Sequence, residues 1–186
     1  MEIALVVVGV VLLLLVVYVV AQYNGLVRTR NLVQESWRQV DVELHRRHDL
    51  IPTLVETVKG YAAHEREVLQ QVVQARSVAA RAGSGVAEQA AEENALSGAL
   101  GRLFALSEAY PELRANENFL ALQTELADTE DRIAAGRRLY NANVRALNTK
   151  VEVVPSNLVA GAAGIGRAEY FEAVDPVVRA RPDVSF

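Results

Sequence analysis

Cysteine is absent from the chain. That removes disulfides, thiol nucleophiles, thiolate metal sites and a lipidated cysteine anchor, and it agrees with life in a reducing compartment. Positive charge is missing from the whole beginning, where Glu2 is the one charge ahead of Arg28. A cleavable leader would need a basic start, a shorter apolar core and a small residue two before Ala21, where Val19 stands instead. Proline is scarce, with five in 186 residues, so long helices can run unbroken. No excess of basic residues exists either: the formal net charge is −4, which argues against a nucleic-acid partner.

The first feature present is a run of 19 uncharged, overwhelmingly aliphatic residues from Ile3 to Ala21. As an α-helix it spans about 28 Å, close to the hydrocarbon thickness of a bilayer. We read residues 1–22 as a retained transmembrane anchor, with Tyr18 and Tyr23 at interface positions. Arg28, Arg30, Arg38, Arg46 and Arg47 follow the run closely. The positive-inside rule then predicts an N-terminus outside and a body in the cytoplasm.

Residues 23–150 carry amphipathic helical patterns. Leu26, Val33, Trp37, Val40 and Leu44 form a first apolar stripe. Pro52 and a capping Asp49 predict a stop near Arg47 or His48, with a kinked continuation as the competing reading. From Ile51 the series Val55, Val58, Ala62, Glu65, Leu69, Val72, Arg76 and Ala79 predicts one long helix, ended by Gly83-Ser84-Gly85. A third helix is expected from about Val86 to Ala109. A fourth, capped by Asn116, carries Phe119, Leu122, Leu126, Thr129, Ile133, Tyr140, Val144 and Leu147 as far as Lys150. The fold class expected is all-α: an N-terminal transmembrane helix, an up-down-up-down four-helix bundle over 23–150, and an extended tail over 151–186. In that tail Ile165, Tyr170, Phe171 and Phe186 are expected to dock on the bundle or on a neighbouring copy.

Two long stretches resemble a known family. YNGLVRTRNLVQESWRQVDVELHRRHDLIPTLVETVKGYAAHE, from Tyr23 to Glu65, and YPELRANENFLALQTELADTEDRIAAGRRLYNANVRALN, from Tyr110 to Asn148, are similar to the signature blocks of the LemA family. So is the ending, with Tyr170-Phe171 and a final PDVSF; Ile165 departs from the aromatic often found there. The resemblance implies an N-terminal anchor with a short outside end, a cytoplasmic helical bundle and no established molecular activity. It also implies links to membrane organisation, with a membrane metalloprotease or a TPM-domain protein as conceivable partners.

A search for chemistry finds little. Di-iron bundles use Glu-x-x-His pairs, and none occurs. His45 and His48 share a helical face without a third converging ligand, His64 and Glu65 do not face each other, and GAAGIG lacks the strand and Lys of a phosphate loop. Ser36, Ser77, Ser84, Ser97 and Ser107 lack an elbow or a paired base. Glu65 and Arg76, both on the apolar seam, are each expected to meet a buried ion-pair partner on another helix, and Asn141 and Asn148 read as devices that fix helix register. No catalytic, metal or cofactor residue is therefore assigned. The expected function is a membrane-anchored, self-assembling scaffold or adaptor; the alternative is a metal-dependent or sensor protein acting with a membrane protease. Alternating helices would gather Arg28, Arg30, Arg76, Arg81, Arg137, Arg138, Arg145 and Lys150 into a membrane-proximal basic pole against the anionic leaflet. The stretch from Val86 to Ala135, with net charge −7, would face partners.

Overall fold

The computed structural model describes residues 1–81 and 85–172. Among them every regular element is helical: α1 (Glu2–Lys59), α2 (Arg66–Ala79), α3 (Val86–Ser107), α4 (Pro111–Arg114), α5 (Glu117–Glu152) and α6 (Ser156–Ala162). The all-α class and the long apolar N-terminal helix are as expected. The chain divides into two compact units. Unit 1 takes Met1–Val40 and Ala135–Glu169, and unit 2 takes Asp41–Ala134 with the residues from Tyr170 on.

In unit 1 the most apolar stretch of α1 is 0% buried among the described residues. Beyond it α1 and α5 lie antiparallel. Leu26, Val33 and Val40 face Tyr140, Val144 and Leu147, and Ala160 and Ile165 complete a small core. The closest approach is at Gly136, where an added Cβ would stand 2.9 Å from Val40 Cγ2. Trp37 and Tyr140 pack with ring centroids 5.3 Å apart.

Unit 2 holds the larger core. Ile51, Leu54 and Val58 of α1, Leu69 and Val72 of α2, Leu96, Leu100 and Leu103 of α3, Leu113 of α4, and Phe119 and Leu126 of α5 are buried together. Asn116 caps α5 as expected, its Oδ1 accepting from the Phe119 N–H at 2.9 Å. Gln89 of α3 donates to the Ala79 carbonyl at 3.1 Å, which serves an orphan acceptor at the end of α2.

Four expectations need correction. The first helix does not stop near Arg47 or His48 but passes through Pro52 to Lys59. A proline inside a helix leaves the carbonyl four residues earlier without its donor. Here that carbonyl belongs to His48, and Arg76 Nε donates to it at 2.6 Å. Arg76 thus takes the place of the missing N–H, and the ion-pair partners expected for Arg76 and Glu65 on other helices are replaced by neutral groups: Arg76 meets the His48 carbonyl, and Glu65 accepts from the Tyr110 hydroxyl at 2.9 Å.

The long helix expected from Ile51 to Ala79 is also broken, since α1 ends at Lys59 and α2 begins at Arg66. In the turn the Tyr61 and Ala62 N–H groups both donate to the Val58 carbonyl. Ala62 and Leu69 stay buried, so the apolar spacing continues across a connection that is not helical. Finally, the region after Lys150 is not uniformly extended. Helix α5 reaches Glu152, and α6 precedes the irregular segment that begins near Ile165.

Replacing Arg76 by Leu should cost about 1–3 kcal/mol in chemical denaturation, because the buried carbonyl is left without a donor. In a Pro52→Ala background an N–H returns to position 52, and the same Arg76→Leu change should cost much less. Equal losses in the two backgrounds would show that the helix does not depend on this contact.

Candidate functional site

Two adjacent residues of α1 organise the polar interior of unit 2. Arg47 is 2% exposed and His48 6%. The Arg47 guanidinium donates from NH1 to Ser97 Oγ at 2.9 Å and to Glu130 Oε2 at 2.6 Å. From NH2 it donates to Glu93 Oε2 and, at 3.4 Å, to the Glu93 carbonyl. His48 Nε2 stands 2.9 Å from the other Glu93 oxygen. Burial alone drives the Glu93 carboxyl upward, but the contact with His48 and the charge of Arg47 outweigh it and hold the group below the ordinary carboxyl range. The cluster is a closed structural ion pair across α1, α3 and α5. An open groove of about 810 Å³ lies between the end of α1 and α2, lined by Val55, Leu69 and Val73 and rimmed by Glu56, Lys59 and Arg66.

Unit 1 is joined by polar rungs of one design. The Thr29 hydroxyl donates to its own helix at the Gly25 carbonyl, 2.8 Å away, which leaves its lone pairs facing α5. Lys150 Nζ donates to that hydroxyl at 2.7 Å and to the Gly25 carbonyl at 3.0 Å. One heptad away on both helices the pattern recurs: Ser36 donates to the Leu32 carbonyl at 2.8 Å and accepts from Asn143 Nδ2 at 3.2 Å. A side-chain clamp then fixes the segment after α6. Asn148 donates to the Ala168 carbonyl at 3.0 Å and accepts from the Ala168 N–H at 2.8 Å. The Tyr140 hydroxyl donates to the Glu169 carbonyl at 2.8 Å. Burial, then the charge of Glu169, pushes the Tyr140 hydroxyl up to about 12, so it remains a donor at physiological pH.

The family model that matches this chain is that of the LemA family, over residues 36–186. The chain belongs to the LemA family. Curated relatives include the magnetosome proteins MamQ 1 and MamQ 2 of Paramagnetospirillum magneticum, each 28% identical over 176 residues that cover 81% of this chain. Protein LemA of Metamycoplasma hominis is 27% identical over 157 residues, covering 83% of this chain and 70% of that protein. The chain spans 65% of the length of the two MamQ relatives.

Of the tail residues expected to dock in this LemA-family protein, Ile165 and Phe171 are buried and Tyr170 is half-buried. Phe186 lies outside the described residues. Of the eight basic residues, Arg28, Arg30, Arg137, Arg138, Arg145 and Lys150 fall in unit 1, and Arg76 and Arg81 in unit 2. Hydrogen bonds hold Lys150 beside Gly25, just past the apolar run. Arg137 and Arg138 adjoin Gly136 and so stand level with the Val40 region, well along α1. His45 and His48 turn to different partners, His45 Nδ1 lying 2.8 Å from the Asp41 carbonyl. Sequence reasoning missed Arg47, Glu93 and the Asn148 clamp. The signal was present for the first two, which occupy seam positions of their helices.

Removing one partner of a buried ion pair typically costs about 3–5 kcal/mol, whereas replacing both with apolar groups is often neutral. Glu93→Ala should therefore destabilise the protein by about that amount in urea titrations, and Arg47→Met/Glu93→Leu by much less. The pH dependence carries a definite sign. Because the folded state depresses the Glu93 carboxyl, its contribution is complete above the ordinary value of about 4.3 and disappears as pH falls through the folded value. Wild type should lose stability on acidification more steeply than Arg47→Met/Glu93→Leu.

Proposed function

We propose that this LemA-family protein is a single-pass adaptor of the bacterial cytoplasmic membrane, with its N-terminus outside and its folded body in the cytoplasm. The observation that carries the reading is the continuity of α1. One helix runs from Glu2 to Lys59, so the apolar run passes into folded residues with no flexible linker, and the body is held at the bilayer. The charge pattern supports the orientation: no Lys or Arg precedes Arg28, while the exposed Arg28 and Arg30 follow the run at once. Lys150, fixed at Gly25, adds a cation from α5 at the same level, where an anionic leaflet attracts it.

Arg47 and Glu93 in unit 2 and Thr29 and Ser36 in unit 1 are buried polar residues engaged in joining helices, which is what a body built for holding shape requires. In this reading the protein acts through contacts. Its conceivable partners are further copies of the chain and a membrane metalloprotease or TPM-domain protein, met through the acidic surface between Val86 and Ala135. The magnetosome names of relatives agree with the part in membrane organisation that the family resemblance implies.

The chain has no native cysteine, so single introduced thiols report topology cleanly. On spheroplasts a membrane-impermeant maleimide should label Glu2→Cys at once and Ser77→Cys only after permeabilisation; the reverse pattern overturns the orientation. Cross-linking in cells should capture a second copy or a membrane-protease or TPM-domain partner. A protein that is monomeric in detergent and captures neither is not an adaptor.

A further inference from the structure

Exposed apolar side chains are concentrated at one end of unit 1. Val153 is 51% exposed, Val154 72% and Leu158 70%, and all three sit where α5 turns into α6. The turn is well made: the Ser156 hydroxyl donates to the Lys150 carbonyl at 2.7 Å and to the Val153 carbonyl at 2.9 Å. These side chains are therefore held outward by an ordered cap and do not protrude because the chain is frayed. Large apolar groups displayed together in this way mark a surface that meets something other than water.

The register of α1 against α5 says what that is. Gly136 packs on Val40, the two helices run antiparallel, and both rise about 1.5 Å per residue. Val153 lies as many residues beyond Gly136 as Tyr23 lies before Val40, so the turn stands level with Tyr23. The Lys150 bonds to Gly25 and Thr29 fix the same register independently. Tyr23 is the second residue past the end of the apolar run. The interfacial layer of a bilayer is roughly 5–8 Å thick on each side of the hydrocarbon, so the turn falls within it.

The geometry points to a second membrane contact: Val153, Val154 and Leu158 form an apolar foot that inserts into the interfacial layer of the bilayer beside the transmembrane part of α1. The occupant is lipid. The register places the patch level with the end of the apolar run, and its flanks carry what a lipid interface accepts. Lys150 is held at Gly25, Tyr23 lies level with the turn, and Glu152 and Arg167 form an exposed ion pair with N to O at 3.1 Å. The foot turns a single-helix anchor into a two-point footing. With one spanning helix alone the body is free to rotate and tilt about that axis; with a second contact, one side of unit 1 is fixed against the leaflet. This inference rests on α1 spanning the membrane and is independent of the adaptor role.

The test uses the full chain reconstituted in phosphatidylethanolamine–phosphatidylglycerol vesicles, with one introduced cysteine at a time carrying an environment-sensitive fluorophore. Val154→Cys and Leu158→Cys should give blue-shifted emission and lose intensity to spin labels near the lipid headgroup. Leu139→Cys, 49% exposed on the same α5, should show neither effect. Val17→Cys should be quenched by spin labels deep in the acyl chains, and its failure to respond would remove the anchor itself. If Val17 responds and Val154 emits like Leu139, the foot is wrong while the anchor stands. Blue-shifted emission at Val154 that lipid spin labels do not quench would mean that protein covers the patch, which also overturns the proposal.

Discussion

A guanidinium removed from water must find its partners inside the protein, and in unit 2 that requirement fixes the helices around it. Arg47 draws Glu93 and Ser97 of α3 and Glu130 of α5 to one point. The next residue, His48, faces Glu93 with its ring and gives its backbone carbonyl to Arg76 of α2. Two consecutive positions on α1 therefore hold polar contacts to each of the other long helices of the unit. The apolar residues around them supply the driving force for burial. The charges dictate which arrangement of those residues is acceptable, since any other packing would strand an ion.

Unit 1 meets a different difficulty. Two helices in contact bury only one stripe each, which is little apolar area for a stable pair. The shortfall is made up by close approach at Gly136 and by hydroxyl rungs at Thr29 and Ser36. These rungs turn helix carbonyls and side-chain oxygens into acceptors for Lys150 and Asn143. Within the helix pair, where the local dielectric is lower than in water, such bonds are electrostatically stronger than the same contacts in water.

Much of this was legible in the residues. Nineteen uncharged positions in a row announce the anchor, and Asn116 marks the start of α5. Pro52 misleads because the group that repairs its gap, Arg76, lies on another helix and cannot be found by local rules. Once a helix end is placed at Arg47, the residue reads as a solvated terminal cation. Followed through Pro52, the same helix puts Arg47 in line with Val40, Leu44, Ile51, Leu54 and Val58, on the buried seam. The turn after Lys59 was hidden for the opposite reason: Val58, Ala62 and Leu69 keep helical spacing across it, and periodicity cannot tell a continuous helix from two that share a core. Asn148 was rightly seen as a polar residue on an apolar face. Its partner, a backbone amide twenty residues later, carries no side-chain signature at all.

That last contact has an evolutionary consequence. Asn148 grips both the N–H and the carbonyl of residue 168, and Tyr140 takes the carbonyl of residue 169. Neither reads a side chain. The segment between Ile165 and Glu169 is consequently held by its count of peptide units, which must bring one backbone amide opposite Asn148 while Ile165 remains in its place in the core. These backbone contacts constrain its length more directly than its composition. Divergence here should accumulate as exchanges of residues rather than as gaps.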